Sequence, residues 1–148
     1  MRLMTHFLVN IDVDDLARAE RFYRATFGLR PGRRLGDGAL EMLGGPAPIW
    51  LLAKDAGSQA VPALAQQRVY GRHWTPLHLD FVVDDIEAAV PRALAAGARL
   101  EQPVSTHDWG RLAVMADPFG HGFCLVQFLG RGYDEITTPQ TPASPSAP

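Results

Sequence analysis

The sequence predicts an α+β domain made of two βαβββ modules, and three observations lead there. Leu8-Val9-Asn10-Ile11-Asp12-Val13-Asp14-Asp15-Leu16-Ala17-Arg18-Ala19 lies over His78-Leu79-Asp80-Phe81-Val82-Val83-Asp84-Asp85-Ile86-Glu87-Ala88-Ala89 at a constant offset of 70, each stretch reading as a strand, an acidic turn and a helix start. After each helix comes material for three short strands separated by turn residues. The 148 residues suffice for one substantial core and hardly for two, so half-length repeats that cannot each bury a sheet face share that core.

In the first module, alternation puts Phe7, Val9, Ile11 and Val13 on one strand face and His6, Leu8, Asn10 and Asp12 on the other. Asp14 or Asp15 can cap the helix that follows, whose buried stripe is Leu16, Ala19, Tyr23 and Phe27 and whose stop is Gly28. Three strands are expected at 30–35, 39–43 and 48–53. In the second module Leu77, Leu79, Phe81 and Val83 face inward, with His78 and Asp80 opposite. Asp84 and Glu87 have capping-box spacing, Ala89 and Leu94 belong to the helix and Gly97 ends it. Pro91 lacks an amide proton and predicts a kink or irregular turn. Strands are expected at 99–103, 109–116 and 122–129, with Asp117-Pro118-Phe119-Gly120 as a turn.

The expected organisation is one domain over 1–136, with modules at 5–53 and 75–129 joined by a linker at 54–74 that carries a short helical turn near 63–67. Residues 137–148 repeat Thr, Ser, Ala and Pro, offer little to bury and are expected to form a disordered tail. A formal charge of -2 with 47% hydrophobic and 20% charged residues gives no electrostatic case for nucleic acid or an anionic membrane. The cluster Arg30, Arg33 and Arg34 reads as a solvated face rather than a phosphate site. No apolar run approaches the ~20 residues needed to cross a bilayer. Cys124 is the sole cysteine, which together with a start lacking a signal-type apolar run sets a cytoplasmic expectation.

Asp15-Leu16, Ala19, Phe22-Tyr23 and Phe27-Gly28 in the first half, His78, Val83-Asp84-Asp85, Ala89 and Gly97-Ala98 in the second, and the terminal run from Asp117 to Gln127 resemble the glyoxalase, bleomycin-resistance and extradiol dioxygenase (vicinal oxygen chelate) superfamily. The resemblance covers nearly all of 6–128. It implies a curved, partly closed sheet around a cavity, often in a homodimer, with metal ligands on the first and last strands of both modules. Those positions match Leu8, His78, Trp50 and Cys124, where relatives that use a metal usually carry histidine on the first strands and glutamate on the last. Leucine cannot coordinate, and tryptophan offers an N–H donor with no accessible lone pair.

The leading expectation is therefore a small apolar or aromatic molecule bound in the cavity with no metal cofactor. Leu8, Asn10, Trp50, Leu52, His78, Asp80, Cys124 and Val126 would line it. The alternatives are a lyase, isomerase or dioxygenase-type enzyme using His78 as the catalytic acid-base, and a structural or regulatory interaction module. Whether the protein is an enzyme stays open. A divalent zinc or iron, if bound, would fall to His78, Cys124 and His6, although two residues along a strand separate side chains by about 6.5 Å. His78 reads equally as a half-buried histidine bonded to Asp80, Asn10 or water, and Cys124 as a structural thiol. Trp50 either fills core or stacks against a guest. His107, Asp108, Trp109 and Arg111 either close one end of the cavity or form an exposed connector, while His121 and His73 read as turn and linker decoration.

Overall fold

The computed structural model describes residues 4–139, in the order β1 (Val9–Val13), α1 (Leu16–Phe27), β2 (Arg30–Leu35), β3 (Ala39–Leu43), β4 (Ile49–Ala53), β5 (Leu79–Val82), α2 (Ile86–Ala96), β6 (Arg99–Leu100), β7 (Ser105–His107), β8 (Gly110–Ala116), β9 (Gly122–Phe128) and a 3-10 turn at Gly132–Glu135. The expected tail falls largely on residues 140–148, outside those described.

Each module builds its own sheet. The first runs β1-β4-β3-β2 and the second β5-β9-β8-β6, with β7 also paired to β8. In both, the first strand is an edge that runs parallel to the last strand of its own module, and the remaining pairs are antiparallel. The fold is thus α+β with two βαβββ-like modules. The single curved sheet expected around a cavity is not formed among the described residues: the strands form two separate sheets instead.

Both helices start and stop where side-chain and backbone chemistry dictate. Asp15 accepts the Arg18 amide at 2.9 Å, and Gly28 closes α1 in the left-handed region at φ 67°. In α2 the cap is Asp85 rather than Asp84, because its carboxylate takes the Glu87 and Ala88 amides at 3.0 and 3.3 Å. The helix assignment of α2 continues through Pro91, which lies exposed where water can serve the Glu87 carbonyl that lacks an amide partner. Leu94 is 43% exposed, and the buried stripe is Ile86, Ala89, Val90 and Ala93.

α1 and α2 pack on each other and on the apolar sheet faces, so the two modules share one core. Phe27 of α1 stacks on Phe81 of β5, centroids 3.7 Å apart, and Phe22 meets Phe123 of β9 edge-on at 6.2 Å. Burying a side chain the size of Phe22 stabilises by about 1.5–3 kcal/mol.

The alternation expected for the first strand of each module holds within β1 and β5 and fails before them. Phe7 and Leu77 are 73% and 84% exposed, because β1 starts at Val9 and β5 at Leu79, and an unpaired chain has no pleat to fix its faces. The run expected at 99–103 shortens to β6, and the extra strand β7 pairs with β8 beyond Pro103. Linker residues 63–67 are not helical: the loop is closed by a bridge between Gln59 and Gln67 and by Gln59 Nε2 donating to the Leu64 carbonyl at 2.8 Å.

Candidate functional site

A cleft of about 1070 Å³ lies between the edge strands β1 and β5, with the connector as its third wall. Leu8, Ile11, Leu79, Phe81 and Phe123 make it apolar from the sheets, and Leu64 and Val69 do so from the connector. Asn10, Tyr23, His73, His78, Asp117 and His121 supply polar atoms.

Of the side chains expected to line a cavity, Leu8, Asn10 and His78 reach this cleft. Trp50, Leu52, Cys124 and Val126 sit one strand further in, opposite Asn10, Asp12, Asp80 and Val82 in the parallel ladders. Trp50 is 9% exposed and lies beneath the Arg33 guanidinium, 5.4 Å from the ring centroid. Glu41, the cross-strand neighbour of Trp50, clamps that guanidinium through both carboxylate oxygens at 3.0 and 2.7 Å and also takes the Arg33 amide at 3.0 Å. The irregular register between Pro31 and Arg34 lets that amide face Glu41. These bonds hold the Glu41 carboxyl down to about 2.

In the second module the same row carries donor atoms. Asp80 is directly opposite Cys124, and His78 Nε2 lies 3.2 Å from Asp80 Oδ1. One ligand atom from each of His78, Asp80 and Cys124 falls within 4.8 Å of the others. His78 precedes the first paired residue of β5, so the strand spacing that separates two neighbours on one face does not bind it. His6 is exposed and has no part in the group. Burial, with the Asp80 charge and hydrogen bond behind it, pushes the Cys124 thiol up to about 11. The thiol is therefore protonated at neutral pH and is no nucleophile unless a cation draws off the proton.

Two polar arrangements at the inner end of the cleft escaped the sequence reading. Tyr23 Oη donates to Asp117 Oδ2 at 2.9 Å, joining α1 to the β8–β9 turn, and Asp117 Oδ1 accepts the amides of Phe119 and His121 at 2.8 and 3.0 Å. Burial first, then the Asp117 charge, raises the Tyr23 hydroxyl well above its ordinary range. His73 and His121 meet at 2.9 Å, nitrogen to nitrogen. The available signal was a tyrosine in an otherwise apolar stripe and an aspartate closing an apolar strand, each a polar group on a buried face in need of a partner.

His107, Asp108, Trp109 and Arg111 are not among the cleft walls. The His107 and Trp109 rings stack at 5.0 Å on the β7–β8 hairpin, and Arg111 pairs with Glu87 at 2.5 Å. Arg33 and Arg34 are engaged by Glu41 and Glu20 rather than gathered into an anion site.

A model of the glyoxalase-like domain matches residues 8–126. The anthracycline biosynthesis proteins DauV of Streptomyces sp. (strain C5) and DnrV of Streptomyces peucetius are each 34% identical, over 120 and 127 residues, covering 80% and 84% of this chain. The chain spans only 40% and 42% of the length of those two relatives. Among solved structures, a glyoxalase-related enzyme from Fulvimarina pelagi is similar with a TM-score of 0.65 at 20% identity, over 84% of this chain and 88% of that one. The fosfomycin resistance protein FosX from Listeria monocytogenes gives 0.65 at 18% identity over 93% and 99%, and TioX from Micromonospora sp. ML1 gives 0.62 at 21% over 85% and 100%. Doubled modules, the shared core and a match spanning both halves establish that this chain belongs to the glyoxalase-like domain family of the glyoxalase, bleomycin-resistance and extradiol dioxygenase (vicinal oxygen chelate) superfamily.

Proposed function

We propose that this chain is an enzyme of the lyase, isomerase or dioxygenase kind, acting on a small apolar or aromatic molecule in the cleft with His78 beside an atypical metal position. The observation that carries this reading is the group His78, Asp80 and Cys124, whose donor atoms converge within 4.8 Å while His78 also lines the cleft. Its chemistry fits: imidazole nitrogen, carboxylate oxygen and thiolate sulfur suit zinc or iron, and three protein donors leave a coordination position open. A divalent ion held there would polarise a substrate oxygen and stabilise negative charge developing on it. Asp80 Oδ1 lies 3.2 Å from His78 Nε2 and orients the ring. Leu8, Phe81 and Phe123 would hold the apolar body of that molecule.

Similarity to relatives named for anthracycline biosynthesis supports a ligand with fused aromatic rings. Exposed Phe7, Leu8 and Leu77 beside the cleft support a homodimer. No helix among the described residues is long and apolar enough to cross a membrane, and we place the protein in the cytoplasm on the strength of its single, buried cysteine.

A second reading, binding without a metal, is favoured by the first module, where Leu8, Asn10 and Trp50 stand at the places of His78, Asp80 and Cys124, with Trp50 capped by Arg33. The two separate on the ion content of protein expressed with zinc or ferrous iron supplied. The enzyme reading expects about one ion per chain, lost in His78→Ala and in Cys124→Ser. A wild-type protein that retains none, yet shows chemical-shift changes at Leu79 and Phe81 when a planar aromatic probe is added, leaves the binding reading standing in its place.

A further inference from the structure

The connector is seated on the second module through a short, tightly fitted stretch. The His73 amide donates to the Gly120 carbonyl at 3.2 Å, and the Arg72 guanidinium reaches the same carbonyl at 3.3 Å while it is held by Glu101. Gly120 sits at φ 82°, and a Cβ there would run into the Gly71 carbonyl, so the turn admits the connector only because residue 120 has no side chain.

Next to this contact, four ring nitrogens form one chain. His73 Nδ1 lies 3.0 Å from the Gly71 carbonyl oxygen, His73 Nε2 lies 2.9 Å from His121 Nδ1, and His121 Nε2 lies 2.6 Å from the Asp12 carbonyl oxygen. Carbonyl oxygens only accept, so the nitrogens at both ends carry hydrogens. The nitrogen pair in the middle needs one more. Three hydrogens on two imidazoles is one more than two neutral rings possess, so the closed chain carries one shared positive charge. If that proton leaves, one of the three contacts must lose its hydrogen and set lone pair against lone pair.

The chain links β1 through Asp12, the start of β9 through His121 and the connector through His73. The charged and titratable groups around it are few and mostly occupied. Asp117 holds the His121 amide and the Tyr23 hydroxyl, Arg72 is paired with Glu101, Arg68 with the Asp12 carboxylate at 2.7 Å, and the Tyr70 ring stands edge-on to His121 at 6.3 Å.

We infer that His73 and His121 form a proton-dependent latch that closes the connector over the cleft, engaged while the pair holds its shared proton and released when that proton is lost. Above the ordinary histidine pKa of ~6.5 the latched state holds one more proton than the open state, so rising pH favours opening; below it the rings of an open pair take up two protons, and further acid no longer favours closure. The consequence for ligand exchange rests on the reading of the cleft as the binding site; the latch itself does not.

The test uses the full chain without ligand, comparing imidazole nitrogen NMR signals and amide-exchange protection between about pH 6.5 and about pH 8.5, from the ~6.5 reference for histidine upward. At the acid end we expect three protonated nitrogens among the four, and protection at the His73 amide about tenfold higher than at the alkaline end after correction for intrinsic exchange. His73→Asn should abolish the step, whereas Arg72→Ala should lower protection at both ends and leave the step in place. Two neutral rings at the acid end, protection that does not change with pH, or a step that survives in His73→Asn would each overturn the latch. Because no ligand or ion enters these measurements, failure of the latch and failure of the proposed function are told apart by the ion content and the aromatic titration.

Discussion

Replacing Tyr23 with phenylalanine removes one oxygen and tests whether the two modules are joined as described. The hydroxyl donates to Asp117 Oδ2 at 2.9 Å, and both residues are buried, at 4% and 2% exposure, 94 positions apart in the chain. A hydrogen bond to a charged acceptor contributes about 1.5–3 kcal/mol, and the upper half applies where no water can replace the lost donor. A loss of about 2 kcal/mol in a chain of this size lowers Tm by about 4–8 °C, since each kcal/mol shifts it by roughly 2–4 °C. The assay is thermal and urea unfolding of wild type, Tyr23→Phe, Asp117→Asn and the double variant, closed as a cycle. We expect a coupling of at least about 1 kcal/mol, because the hydroxyl has far less to gain from a neutral amide than from a carboxylate. A Tyr23→Phe effect within about 0.5 kcal/mol of zero, or an equal cost of Tyr23→Phe when Asp117→Asn is already in place, refutes the buried link between α1 and the β8–β9 turn.

Other perturbations reach other parts of the molecule. With Glu41 depressed to about 2, its carboxylate stabilises the fold above the ordinary carboxylate pKa of ~4.3, and that contribution disappears as pH falls from there through 2. Glu41→Gln should flatten this acid limb in Tm measured against pH, and an unchanged slope would contradict the clamp on Arg33. The Cys124 thiol, raised to about 11, favours the folded state below the ordinary ~8.5, an advantage lost as pH climbs from there to 11. Iodoacetamide at about pH 8 should therefore modify the folded protein at least about tenfold more slowly than the urea-unfolded chain, and equal rates would show the thiol exposed. Gly120→Ala should cost about 1–3 kcal/mol through its backbone conformation and displace residues 71–73, seen as protease cleavage in the connector under conditions where wild type is intact. Phe27→Ala should cost about 3–5 kcal/mol in unfolding by removing the ring stacked on Phe81, and a loss below about 1 kcal/mol would place that stack outside the shared core.

The sequence by itself determined whatever depends on short-range periodicity. Val9, Ile11 and Val13 against Asn10 and Asp12, the stripe from Ala19 to Phe27, and the glycines at 28, 36, 44 and 97 mark strand, helix and turn within a few residues, and the offset of 70 duplicates the pattern. Alternation and module matching also named His78, Asp80 and Cys124, whose donor atoms come within 4.8 Å of one another. Only the tertiary structure decided what surrounds each of these side chains. Trp50 and Cys124 hold equivalent places, yet one lies beneath an arginine clamped by a cross-strand glutamate and the other beside an aspartate and a histidine. The bonds Tyr23 to Asp117, His73 to His121 and His121 to Asp12 span 94, 48 and 109 residues. No local period relates such positions, since what brings them together is the packing of two modules on one core. Periodicity is a property of the backbone and can be read along the chain, whereas a cleft and its proton-binding contacts arise where separate stretches of backbone meet.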